Sequence, residues 1–218
     1  MARGKTGLSI IPQVYGTRTS STLGTFIYFE HLPGTPLSRT PVNSTQCREL
    51  ISSLHAIVSA LQDVRAPDSA HVGGFGGRNL HAISLGWDSI NFPPLLTPSS
   101  LEAWLATRYL TSSTASPDRW EEVVVPCFDS TAPLVLTHGD FATRNILVDG
   151  SRVRVTGLID WELAGWYPPW VEKYRAVYEA YIGGWDGRDG VVGTAVVGEK
   201  DEQSRYNGLL ALQDAFVE

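Results

Sequence analysis

The stretch 137-THGDFATRNILVDG-150 sets a histidine, two aspartates, an arginine and an asparagine between two short apolar runs. Residues 134–137 read as a short apolar strand. Ile146, Leu147 and Val148, an Asp149-Gly150 turn, then Val153 and Val155 in alternation carry the signal of a β-hairpin. Leu158-Ile159 leads directly into Asp160. One reading is a polar surface hairpin; the other is a hairpin whose open end is a chemical site. Because a hairpin returns to where it started, the second reading brings Asp140, Asn145 and Asp160 to one end. Two carboxylates and an amide oxygen are hard oxygen ligands of the kind Mg²⁺ takes.

Working outward, residues 25–30 (TFIYFE) are β-branched and aromatic and predict a strand that ends at the turn signal His31-Leu32-Pro33-Gly34. Asn43 and Gln46 are spaced as a capping box. Behind them Cys47, Leu50, Ile51, Leu54, Ile57, Val58 and Leu61 recur at helical spacing, so this helix must bury one face. Residues 67–98 are rich in Gly, Pro, Asn and Ser and read mostly as loop. Ser99 to Glu102 opens a second helix with Leu101, Trp104 and Leu105 on one face. Pro168-Pro169 starts a third, with Trp170, Tyr174, Val177, Tyr178 and Tyr181 aligned, and Gly183-Gly184 ends it. A polar Gly-rich loop is expected next, then a final helix turning Tyr206, Leu209, Leu210 and Val217 inward. The fold class is α+β, in two unequal parts: residues 1–37 as a small front portion and residues 38–218 as a mainly helical body with an embedded hairpin.

Composition narrows the function classes. The 218 residues are 43% apolar and 18% charged with a net charge of −6, which suits a globular chain and argues against a general nucleic-acid binder. Cys47 and Cys127 are the only cysteines and fit two free thiols better than a bridge; no Cys/His spacing suggests zinc. No apolar run approaches a membrane span and the first ten residues lack a signal-peptide core, so a cytoplasmic protein without membrane attachment is expected.

The paired motifs His138-Gly139-Asp140 with Asn145-Ile146-Leu147-Val148, and Leu158-Ile159-Asp160-Trp161-Glu162, resemble the aminoglycoside phosphotransferase and choline kinase-like family, whose fold is that of protein kinases. Gly139, where protein kinases usually carry arginine, and Asp160-Trp161-Glu162 point to the small-molecule kinases. Residues 11–16 and 29–37 are similar to the family's segments before and at the hinge between its lobes. The likeness runs from about residue 11 into the 170s and is to an N-terminally shortened, fungal-type member. It implies ATP- and Mg²⁺-dependent phosphoryl transfer to a small-molecule hydroxyl, the partners being a nucleotide and that substrate. By the same resemblance Asp140 is the catalytic base or hydroxyl-orienting group, and Asn145 and Asp160 hold Mg²⁺. Backbone groups of Glu30 and Leu32 contact the adenine, and His138 supports the loop.

Such kinases also carry a glycine-rich phosphate loop, a strand lysine on the phosphates and a helix glutamate that pairs with it. The lysines here are Lys5, Lys173 and Lys200, and only Lys5 precedes the hinge strand. Two expectations follow: an active phosphotransferase, or an impaired kinase-like remnant that serves as a binding or scaffolding module. A third, weaker one is a metal-dependent hydrolase built on His138, Asp140 and Asp160. Several further groups have plain structural readings. The glycines at 73–77 with Arg78 fit a surface loop, His55 a helix flank, and His71 and His81 the margins of that loop. Trp161, Trp166, Trp170 and the tyrosines of 174–181 fit core packing better than a cage for a cation. Glu162 and Glu172 suit solvated or capping roles as well as contact with a cationic substrate.

Overall fold

The computed structural model of the chain describes residues 4, 6–75, 97–111, 116–184 and 187–198. The front portion is a two-stranded antiparallel hairpin, β1 (Val14–Ser20) and β2 (Gly24–Phe29). The strand expected over 25–30 is present. Its partner β1 was not anticipated, because VYGTRTS mixes Gly, Ser and Thr among few apolar residues. Val14, Tyr15, Phe26, Ile27, Tyr28 and Phe29 are all exposed, so this hairpin covers neither of its faces. The chain then runs through Leu32 into β3 (Thr35–Pro36), which pairs with β6 (Ile146–Val148). That pairing adds the segment after the hinge to the hairpin of β6 and β7 (Val155–Leu158).

The capping box is real: Asn43 Oδ1 accepts from the backbone N–H groups of Thr45 and Gln46 at 3.0 Å each, and Gln46 Oε1 accepts from Asn43 N at 2.9 Å. It starts α1 (Ser44–Gln62), whose Leu50, Leu54, Ile57, Val58 and Leu61 are buried, five of the seven positions named from spacing. In α2 (Pro98–Leu110) Thr97 supplies the cap and Leu101, Leu105 and Tyr109 face the core. A run of aromatic rings from Tyr109 through Trp120 and Phe128 to Trp170 crosses that core, with centroids 4.9–5.8 Å apart. Trp170 and Tyr174 are therefore packing residues.

β5 (Val135–Thr137) pairs with β8 (Gly165–Tyr167), and β8 pairs with β4 (Gly73–Gly74). Thus the described part of 67–98 is not all loop. Gly165 lies against the backbone of Gly73 so closely that a Cβ at 165 would collide with its carbonyl oxygen. Gly76, Gly77, Arg78 and His81, Lys5 and Lys200, and the helix expected over 206–217 lie outside the described residues.

Two local readings are corrected. The hairpin β6–β7 does not turn on Asp149-Gly150 alone; its turn runs to Arg154, whose carbonyl accepts from Asp149 N at 3.0 Å. Asp149 Oδ1 accepts from Arg152 N at 2.7 Å, and the left-handed residue is Val153 (φ 53°), not Gly150. The polar loop expected after Gly184 instead contains α4 (Arg188–Val197). Its two glycines, Gly190 and Gly193, hid a helix in which Val191, Val192, Ala195, Val196 and Val197 are buried. It packs on α1 and on α3 (Trp170–Gly183), and His55 Nδ1 reaches Ala195 O at 3.0 Å. Leu54 is fully buried on α1. Leu54→Ala is expected to lower stability by about 2–5 kcal/mol, measured by urea denaturation; a loss within roughly 0.5 kcal/mol, as at surface sites, would show that α1 does not form the core.

Candidate functional site

The loop between β5 and β6 has no regular structure, so its buried backbone groups need partners elsewhere. α3 provides them. Positions 172, 175 and 179 fall on one helical face, and that face carries Glu172, Arg175 and Glu179 to the loop. The Glu172 carboxylate accepts the N–H of His138 at 2.6 Å and that of Gly139 at 3.2 Å. Gly139 sits at φ 82°, where a side chain would be strained. Arg175 Nη2 donates to Asp140 Oδ1 at 3.2 Å and to Glu179 Oε1 at 3.4 Å.

Asp140 is held on both oxygens. Arg144 Nη2 joins Arg175 on Oδ1, and Asn145 Nδ2 donates to Oδ2 at 2.7 Å and to the Asp140 carbonyl at 3.0 Å. Arg144 Nη1 also donates to Glu179 Oε2 at 2.8 Å. Burial alone would push the Asp140 carboxyl upward. The charges and hydrogen bonds of Arg144 and Arg175 outweigh it and hold the group below its ordinary range.

His138 is fully buried. Its Nε2 lies 2.9 Å from Ile159 O, while Nδ1 accepts from Asp140 N at 3.2 Å. That assigns the Nε2–H tautomer, and burial keeps the ring neutral with a pKa near 4. Both nitrogens are committed to backbone, so His138 supports the loop and has no free lone pair for a metal. Trp161 packs edge-on against its ring at 4.7 Å.

Beyond β6 the pairing continues: Ile159 N donates to Asn145 O at 3.0 Å. Asp160 is therefore one residue from the partner of Asn145. It has φ 65° and ψ 63°, a left-handed conformation costing about 1–3 kcal/mol for a non-glycine residue and typical of functional positions. The Asp160 side chain is exposed and makes no hydrogen bond among the described residues. The Asn145 amide spends its Nδ2 on Asp140, leaving Oδ1 without a partner among those residues. A free amide oxygen and a free carboxylate on adjoining strand ends suit a hard divalent cation. Among the described residues no three His, Cys, Asp or Glu side chains cluster as a metal site; the pair found here contains an asparagine. At the hinge, Glu30 N is engaged by Gln13 O at 2.7 Å, whereas the N–H of Leu32 has no partner among the described residues.

Of the residues first singled out in the sequence, His138, Asp140, Asn145 and Asp160 thus lie at one end of the hairpin, whereas Glu30 and Leu32 lie on the segment between β2 and β3. Arg144, Glu172, Arg175 and Glu179 were not singled out for this site. Glu172 had a signal, being a carboxylate between the buried Val171 and Tyr174, but solvation or capping at a helix start explained it equally well.

A helical body, an embedded catalytic-type hairpin and a front β-hairpin joined by a hinge form a protein-kinase-like fold of the small-molecule phosphotransferase kind. The chain belongs to the phosphotransferase enzyme family, whose model matches residues 5–200. Solved structures with the same fold include the GDP complex of aminoglycoside 2'-phosphotransferase-IIIa. It is 18% identical, with 95% of this chain and 64% of that one covered and a TM-score of 0.52. Aminoglycoside phosphotransferase APH(4)-Ia is 17% identical, with 98% and 71% covered and a TM-score of 0.60. A thermostable variant of that enzyme in ternary complex with ADP and hygromycin B is 18% identical, with 98% and 80% covered and a TM-score of 0.51. The chain spans under two thirds of the length of the 2'-phosphotransferase. None of the curated proteins matches the chain by sequence.

Burial raises the Glu172 carboxyl to about 7, against the N–H groups of His138 and Gly139 that favour its charged form. Its folded-state pKa exceeds its unfolded value, so the folded chain holds the proton more tightly between pH ~4.5 and ~7 and this group's contribution falls as pH rises through that window. Relative to Glu172→Gln, the wild type is expected to lose thermal stability from pH 5 to pH 8. A difference between the two that stays flat over that range would show Glu172 to be ionised throughout.

Proposed function

We propose that this chain is a phosphotransferase that uses ATP and Mg²⁺ to phosphorylate the hydroxyl of a small molecule. The observation that carries the reading is the junction of Asn145 with Ile159, which puts Asn145, whose amide bonds Asp140, and Asp160 on adjoining strand ends. Asp140 then orients the acceptor hydroxyl and takes its proton; a carboxylate held low by two arginines acts more by orientation than by basicity. Asn145 Oδ1 and Asp160 would hold Mg²⁺, which supplies charge neutralisation on the phosphate oxygens when bound. The N–H of Leu32, without a partner among the described residues, would meet the adenine, together with the carbonyl of Glu30. His138 and Glu172 fix the loop so that Asp140 keeps its place.

A second reading, an impaired kinase-like module that binds or scaffolds, is favoured by one observation: the exposed apolar faces of the β1–β2 hairpin. The hydrolase reading loses its ligand set, because both nitrogens of His138 are occupied by backbone.

Mg·ATP in tenfold excess over its Kd is expected to stabilise the chain by about 1.4 kcal/mol, roughly a 3–5 °C rise in Tm for a domain of this size. Asp160→Ala abolishes that shift. Asp140→Asn keeps it while lowering turnover by about 10²–10⁴-fold. No shift at millimolar nucleotide argues for the scaffold; turnover that depends on Asp140 excludes it.

A further inference from the structure

The reaction scheme above uses Arg144 only to hold the Asp140 carboxylate. We propose that Arg144 is an exchangeable phosphoryl ligand: it occupies Asp140 while the site is empty and moves onto the transferring phosphoryl group when a nucleoside triphosphate binds. The inference rests on the phosphotransferase reading of the same site.

Three observations support it. First, Arg144 lies on Asp140 Oδ1 itself, the oxygen it shares with Arg175, while Asn145 fills Oδ2. Two donors fill Oδ1, so a hydroxyl that approaches this oxygen needs one of them to leave. Second, the two arginines differ in freedom. The Arg175 side chain is 8% exposed and anchored in α3, whereas that of Arg144 is 50% exposed and, among the described residues, tethered only through carboxylates. Glu179 gives Arg144 a second hold, at 2.8 Å, from which it can swing without becoming unpaired. Third, the distances leave little room between the two positions. The attacking hydroxyl must lie within ~2.6–3.2 Å of Asp140 and roughly 3–3.5 Å from phosphorus. A guanidinium already bonded to Oδ1 is then one side-chain rotation from the phosphoryl oxygens, whose geometry its planar donors match.

The exchange fits the chemistry. The hydroxyl oxygen forms its bond to phosphorus, the bond from phosphorus to the leaving nucleoside diphosphate breaks, and the hydroxyl proton passes to Asp140 Oδ1. Arg144 vacates that oxygen as the proton acceptor is needed and meets the negative charge on the transferring group.

The test compares the affinities of Mg·AMP-PNP, which carries the third phosphoryl group, and Mg·ADP, which lacks it, by calorimetry. Wild type is expected to prefer Mg·AMP-PNP, and Arg144→Ala to lose about ten- to hundredfold of that preference with Mg·ADP binding unchanged. Arg144→Gln, which keeps a hydrogen-bonding end but is shorter and uncharged, is expected to lose it as well, and Arg144→Lys, which keeps the charge, to retain part. A preference kept intact in Arg144→Ala or Arg144→Gln overturns the proposal, as does a wild type that binds both nucleotides equally. A wild type that binds neither overturns the phosphotransferase reading, and this proposal with it.

Discussion

The carboxylate of Glu172, buried under the catalytic-type loop, is the contact on which the site depends. The loop from His138 to Arg144 must hold Asp140 in place and yet cross the interior, where unpaired N–H groups are costly. Glu172 accepts two of them, and the same face of α3 sends Arg175 to Asp140 and Glu179 to Arg144. The result is a charge cluster in which Asp140 and Glu179 each face both guanidinia, with Glu172 buried beside them on the loop backbone. The most deeply buried member, Glu172, carries the raised pKa, as expected of the group with least access to either solvent or a direct guanidinium bond.

From that anchor the geometry propagates through the β-hairpin. Asn145 ends the loop just before β6, so its amide can bond Asp140 while its carbonyl accepts from Ile159. The left-handed turn at Asp160 releases the chain from β7 with the carboxylate pointing to solvent. Strain at that residue is sustained by its neighbours, Trp161 being fixed through Nε1–H to Leu158 O at 2.8 Å. α4 closes the arrangement from behind. Asp189 accepts from Thr143 Oγ1 at 2.6 Å, and Arg188 Nη1 donates to the carbonyls of Ser38 and Thr40, tying the loop and the segment after the hinge to one helix.

Much of this was legible in the sequence, for physical reasons that differ by element. α1 announced itself because its cap and its apolar stripe use purely local rules, and both are present as spaced. The convergence of Asp140, Asn145 and Asp160 was readable because a hairpin has only one way to return. α4 was not, since glycine at 190 and 193 lowers helix propensity and only packing against α1 and α3 restores it. The long turn at 149–154 was missed because the Asp149 side chain replaces the backbone turn that an Asp-Gly pair usually makes. The grip of α3 on the loop is a contact across more than thirty residues, and no local pattern encodes which face of a helix meets a loop.

The central claim is that this framework builds one end of a hairpin into a metal- and nucleotide-binding site. A crystal structure with Mn²⁺ and AMP-PNP tests it most directly, through the anomalous signal of the manganese. The expected result is a metal bound between Asn145 Oδ1 and the Asp160 carboxylate, at roughly 2.0–2.3 Å from each, with the terminal phosphoryl group beside Asp140. Manganese and nucleotide bound elsewhere, or not bound at all, would contradict it.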